Sequence, residues 1–163
     1  MNVVLDTNCF LSGLVTGEAA PTVILARRSA EEFRIVASNH FFDGVARALK
    51  KPYWQQRQDR SALEARLASL VLVVPSVEPV EGIHGVAPDD EDDLILATAI
   101  AANADFLVTG DKGLLALGEF RGIPIMSPRE FLERLDQQPA TTLHQDKTVP
   151  RLANRGSREN DGP

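Results

Sequence analysis

The sequence predicts an α/β fold: a single domain over residues 1–136, built as a mostly parallel five-stranded sheet with helices on both faces, and a polar, disordered tail over residues 137–163. Three observations lead there. Short apolar runs alternate with longer segments of helical period, the pattern of strand–helix–strand crossovers. Two of those runs, Val3-Val4-Leu5 and Phe106-Leu107-Val108, contain no polar residue, as strands buried on both faces do not. A chain of 163 residues also suits one domain able to bury its own core.

Taken in order, residues 2–5 read as the first strand and Pro21 to about Ala30 as a helix, with Val23, Ile24 and Leu25 on its apolar side. Arg34–Ala37 reads as a second strand. Ser38 or Asn39 then caps a helix that runs through Leu49 and stops at Pro52. Ser61 and Glu64 have capping-box spacing and open a helix to Leu70, after which Leu72–Val74 reads as a third strand closed by Pro75. Beyond a linker at 75–88, a helix starts inside the acid run 89–93 and continues to Ala102. Leu94, Ile95, Leu96, Ala97 and Ile100 leave it little polar face. Asp105–Thr109 is a fourth strand, Lys112–Leu117 a short helix and Gly122–Met126 a fifth strand. Ser127-Pro128 opens a last helix to about Leu135. From Gln137 apolar periodicity ends, aromatics vanish, and Pro, Gly, Asn and Gln accumulate.

Composition narrows the function. No apolar run approaches the roughly 20 residues of a membrane span. The first residues lack a basic segment and place an acid at Asp6, unlike a secretory signal. One cysteine, Cys9, excludes an intrachain disulfide, fits a cytoplasmic location and reads as a small buried thiol. The formal charge of −6 argues against nucleic-acid binding over the whole surface. A local basic stretch remains: Arg47, Lys50, Lys51, Arg57, Arg60 and Arg66, either a solvated helix face or a ridge for phosphates.

Acids gather where strands should end. Asp6 follows the first apolar run, and Asp111 follows Phe106–Val108 through Thr109 and Gly110. The run Asp89-Asp90-Glu91-Asp92-Asp93 opens a buried helix. Ligands of open α/β sheets bind in the crevice at the carboxyl ends of the strands. Carboxylates delivered there from distant segments repel one another unless a cation neutralises them, and hard divalent ions prefer such oxygen ligands. Each acid also has a simpler reading as a helix cap or a dipole partner. Asn8 and Thr7 are placed to orient Asp6, and Thr109 to accompany Asp111. Asp92 and Asp93 lie nearest the apolar stripe, with Asp89 on a shared helical face. His40, His84 and His144 lack ligand spacing and read as surface residues.

Three stretches together resemble the PIN-domain ribonucleases, and within them the VapC-like toxins of toxin–antitoxin pairs: VVLDTNCFLSGL, DDEDDLILATAIAANADFLVTGDKGLLAL and GIPIMSPREFLERL, with a weaker match at IVASNHFFDGVARALKKP. They cover about residues 1–136 in the family's order. The resemblance implies cleavage of RNA by one or two Mg²⁺ or Mn²⁺ ions. Asp6, Asp92 and Asp111 would be the metal ligands, with Asn8, Thr109, Asp89 and Asp93 around them and Arg47, Lys50 and Lys51 against the RNA. It also implies an antitoxin partner and a homodimer. Two departures stand out. The helical Glu usual in the family falls on Gly44, with Asp43 one residue earlier as a possible fourth catalytic acid, and position 113 is Gly. The second reading is accordingly a PIN-fold binding module that holds RNA or a protein without cutting. A phosphotransfer enzyme using Asp6 as nucleophile fits less well, because Asn8 stands where its second Asp belongs.

Overall fold

A computed structural model describes residues 1–16, 19–56 and 60–137. Arg57, the side chains of Glu64, Arg60 and Arg66, His144 and the tail from residue 138 lie outside what it describes. Gln137, expected to open the tail, instead ends the last helix.

The first strand, β1 (Asn2–Leu5), is followed by α1 (Thr7–Leu11), a π-helical turn at Ser12–Thr16 and α2 (Ala19–Ser29). Two short strands come next, β2 (Arg34–Ile35) and β3 (Ala37–Ser38), then α3 (Asn39–Leu49), α4 (Pro52–Gln55) and α5 (Arg60–Val71). After β4 (Ser76–Val77) and a loop come α6 (Asp90–Ala101), β5 (Phe106–Val108) and α7 (Lys112–Leu117). A hairpin of β6 (Glu119–Phe120) and β7 (Ile123–Met126) precedes α8 (Pro128–Gln137).

The main sheet has five strands in the order β2-β1-β5-β7-β6, all neighbours parallel except the β6–β7 hairpin. β3 and β4 form a separate parallel pair. Side chains alternate across the sheet because the strand period is two. Val3, Leu5, Phe106 and Val108 enter one core with Phe10, Ile24 and Phe131. Val4 and Leu107 enter the other, with Leu96 and Leu114. Both faces are covered, which explains the uninterrupted apolar runs in β1 and β5.

Three expectations needed correction. Residues 72–74 are not a strand: α5 runs on to Val71, and Leu72 and Val73 are exposed. Pairing starts after the proline, whose carbonyl accepts from the Ala37 N–H at 3.1 Å. The segment 34–37 is not one strand but two, broken at Val36, whose N–H still donates to the Val3 carbonyl. The fifth strand of the main sheet is therefore β6, joined to β7 by a turn in which Arg121 and Gly122 take positive φ. Val23 is also exposed, while Ile24 is fully buried.

Local chemistry fixes the helix ends. The Ser38 hydroxyl accepts from the Phe41 N–H at 3.3 Å. Ser127 and Glu130 form a capping box: the Glu130 carboxylate takes the Ser127 N–H and hydroxyl, and the Ser127 hydroxyl takes the Glu130 N–H. No single helix among the described residues is long and apolar enough to cross a membrane.

Close packing of the π-helical turn on α2 depends on Gly13. A Cβ there would lie 2.7 Å from the Pro21 carbonyl oxygen and 2.8 Å from Leu25 Cδ1. Since a backbone atom must give way, Gly13→Ala should cost about 1–3 kcal/mol in a urea titration. An unchanged midpoint would show that α2 is not pinned there.

Candidate metal centre

Parallel pairing of β1 with β5 sets Leu5 against Val108, so the residues that follow both strands meet at the carboxyl edge of the sheet. The Asp6 N–H donates to the Val108 carbonyl at 2.9 Å, and the Thr109 N–H to that of Met126 at 3.0 Å. Asp6 is buried, which pushes its carboxyl above the usual range. Donors oppose this: the Asn8 N–H bonds Oδ1 at 3.1 Å, the Thr109 hydroxyl bonds Oδ2 at 3.0 Å, and the Gly110 N–H assists. The Thr109 hydroxyl in turn accepts the Asp111 N–H at 2.9 Å. One buried hydroxyl therefore couples the two acids that follow strands. Asn8 reaches Asp6 through its backbone, with its own residue exposed.

Asp111 stands at the start of α7 and accepts from Gly113 and Leu114, both on Oδ1. The third acid arrives from α6. Asp92 is half-buried, and its pKa is pushed up to about 6, first by burial, then by the charges of Asp111, Asp6, Asp89 and Asp93. Asp111 likewise raises Asp6. Asp6, Asp92 and Asp111 thus form one electrostatic group, although no three acidic, His or Cys side chains among the described residues stand close enough to make a ready coordination shell.

The remaining acids of the run do other work. Asp89 is exposed and caps α6 through the Glu91 N–H at 2.9 Å. Asp93, expected beside the crevice, is turned the other way. Its oxygens accept from Gly85, Val86 and Ala87 at 2.5, 3.1 and 2.8 Å, which hold its carboxyl below the usual range. Helical geometry separates it from Asp92 by about 100°.

On α3, Gly44 faces Asp6's neighbour: a Cβ at 44 would lie 3.3 Å from Thr7 Oγ1 and 3.9 Å from an Arg47 guanidinium nitrogen. Asp43 is exposed, one residue round the helix. Arg47 pairs with Glu91 of α6 at 2.9 Å, and Lys50 and Lys51 are exposed beyond it. Sequence reasoning missed this ion pair, the Gly110 donor and the backbone cradle of Asp93. All three join segments far apart in the chain or use main-chain groups, which leave no compositional mark. Cys9 is buried, as expected.

An α/β sheet with acids at its carboxyl edge defines a class of proteins that hold polar ligands or cations there. The family follows from comparison: the PIN domain model matches residues 2–113, and the chain belongs to the PIN domain family. Seven chains of solved structures are similar to it, among them one from the structure of VapBC2 from Rickettsia felis bound to a DNA fragment from their promoter. That match has a TM-score of 0.56 at 15% identity and covers 78% of this chain and 98% of the other, a likeness of fold. No curated protein matches significantly.

A folded state that keeps the Asp92 proton up to about pH 6, against about 4 for an unfolded Asp, binds more protons between those values. Its stability therefore falls as pH rises across that window. In EDTA, the melting temperature of wild type minus that of Asp92→Asn should drop from about pH 4 to about pH 7. Asp93 and Glu130, lowered in both proteins, cancel in the difference. A difference independent of pH would mean that neither burial nor the other acids raise Asp92.

Proposed function

We propose that the chain is a divalent-metal-dependent endoribonuclease and the toxin of a toxin–antitoxin pair. The observation that carries this is the convergence of Asp6, Asp92 and Asp111, from three separate segments, on one edge of a parallel sheet, where the charge of Asp111 raises Asp6 and the charges of both raise Asp92. Such a set is unfavourable alone and favourable around a cation. The all-oxygen donor set fits Mg²⁺ or Mn²⁺, and these three acids would hold it. The chemistry supplied by that ion is charge neutralisation at the phosphate and acidification of water.

The chain's own groups do the rest. The Thr109 hydroxyl and the Asn8 N–H keep the Asp6 oxygens fixed, and the two helix N–H groups fix Asp111 through Oδ1, leaving Oδ2 for a ligand. Asp92, protonated below about pH 6, becomes ionised at neutral pH and completes the set. Arg47, Lys50 and Lys51 would bind backbone phosphates along one side, a contact that weakens with salt. An apolar groove of about 190 Å³ among Phe10, Phe42, Val45, Ala46, Leu49 and Leu67 suits an antitoxin segment or a second copy of the chain. The likeness to a VapBC2 chain supports the antitoxin.

Gly44 favours a second reading, a binding module that keeps RNA or a protein partner without cutting it. An acid at position 44 would face Thr7 and the site, and this chain has none there.

The two readings separate on labelled RNA incubated with partner-free protein in Mg²⁺, Mn²⁺ or EDTA. Cleavage should require the metal, and Asp6→Ala should lower it at least about 10²-fold. Asp43→Ala, at an exposed position, should stay within about twofold of wild type. Strong loss in Asp43→Ala would make it the fourth acid. Absence of cutting in every condition would favour the binding module.

A further inference from the structure

A pocket of about 430 Å³ lies along the cleft between α3 and α6 and has no part in the reaction proposed above. The two helices run antiparallel across it: the Thr98 hydroxyl meets that of Ser38 at 3.1 Å at one end, and Glu91 meets Arg47 at 2.9 Å at the other. His40, on the pocket, precedes Gly44 by four residues and shares its face of α3, about 6 Å along the axis. Gly44 faces Thr7, next to Asp6. On α6 the pocket is lined by Leu94 and Ala97, on the other side of the helix from Asp92, so it is separate from the acidic centre.

Its floor is apolar, with Ile83 and Ala97 buried and Val80 and Leu94 beside them. Its rim carries His40, Glu78, Glu81 and His84. The loop that forms one wall is anchored rather than loose. The Val80 N–H donates to Ala97 at 3.4 Å, and the Asp93 carboxylate takes the N–H groups of Gly85, Val86 and Ala87. Glu78 is held in turn: the Ser76 hydroxyl donates to Asn39 Oδ1 and the Asn39 amide donates to Glu78 Oε1, each at 3.2 Å.

The geometry points to a recognition pocket for one unstacked RNA base, guanine, an inference that rests on the ribonuclease reading. The volume falls in the usual range for ligand pockets, and the apolar floor with two flat imidazoles receives a base by contact and stacking. Ionised Glu78 and Glu81 can only accept hydrogen bonds. Guanine presents an imino and an amino donor side by side on its pairing edge. Adenine and cytosine set a ring-nitrogen lone pair beside the amino group, and uracil flanks its imino with carbonyls, so each turns a lone pair towards a carboxylate. A basic side chain of a protein partner would satisfy the same carboxylates. The apolar floor and the two imidazoles on the rim favour the flat face of a base.

The test uses the full chain carrying Asp6→Asn, in EDTA so that nothing is cut, with fluorescein-labelled AAGAA, AAIAA (inosine) and AAAAA read by anisotropy. AAGAA should bind about tenfold more tightly than AAAAA, the order a bidentate base contact is worth, with inosine between. Glu78→Gln with Glu81→Gln should remove the preference, with AAAAA bound at least as tightly as before because two negative charges leave the rim, which also shows that the variant is folded. Equal affinities, a preference that survives both substitutions, or binding of an arginine pentapeptide with no base preference would overturn the proposal. Cleavage by the wild type in Mg²⁺ is scored separately. No cleavage with the guanine preference intact removes the ribonuclease reading and keeps the pocket, whereas cleavage with no base preference does the reverse.

Discussion

The hydroxyl of Thr109, fully buried at the edge of the sheet, ties the centre to the fold. It donates to Asp6 and accepts from the backbone of Asp111, so one oxygen fixes the acids that follow β1 and β5. Burial of Asp6 is costly, and an unpartnered carboxylate there would take up a proton or draw in water. Distributing its lone pairs over Asn8, Thr109 and Gly110 makes burial tolerable and also aims the carboxylate. The hydroxyl can make both bonds only because β1 and β5 pair in parallel with Leu5 opposite Val108. A slip of one residue would turn Val3 and Leu5 from one core to the other and separate the two acids.

The parts of this architecture that the sequence reveals are those made by local rules. β1 and β5 announce themselves because a strand buried on both faces has to be apolar at every position, and α7 begins and ends where it was expected because Asp111 caps it and Gly118 follows with positive φ. β4 was misplaced for a physical reason. Leu72 and Val73 are apolar, and Val73 is β-branched, but α5 extends to Val71 and leaves them in an exposed turn. β2 and β3 merge in the sequence, since nothing in Arg34–Ser38 records that Val36 divides two sheets. β6 is two residues long and gains its partner only through the hairpin, so its sequence carries no strand period.

At the centre, Asp6 and Asp111 were legible by position, and Asp92 by resemblance. What remained hidden was direction. Five acids in a row look alike, but the first turn of α6 divides them between capping, the crevice and the loop. The same applies on α3, where Gly44 rather than Asp43 faces Thr7. The Arg47–Glu91 pair that spans the cleft beside it is exposed on both sides and contributes at most about 1 kcal/mol, so its effect lies in placing a cation at the mouth of an acidic site rather than in stability.

Asp92 and Asp93 show how finely that division is made. They are adjacent, share a helix N-terminus and feel the same macrodipole, yet one is raised to about 6 and the other lowered. The dipole therefore decides neither. Asp92 turns towards Asp6 and Asp111, where burial and like charge favour its proton. Asp93, about 100° away, meets three N–H groups, which favour its charge. Of the two, Asp93 has its charged form stabilised by hydrogen bonds, while Asp92 faces like charges that a cation would offset. The helix thus separates a group that faces the other two acids from one committed to holding the loop, and both positions follow from a single turn of backbone.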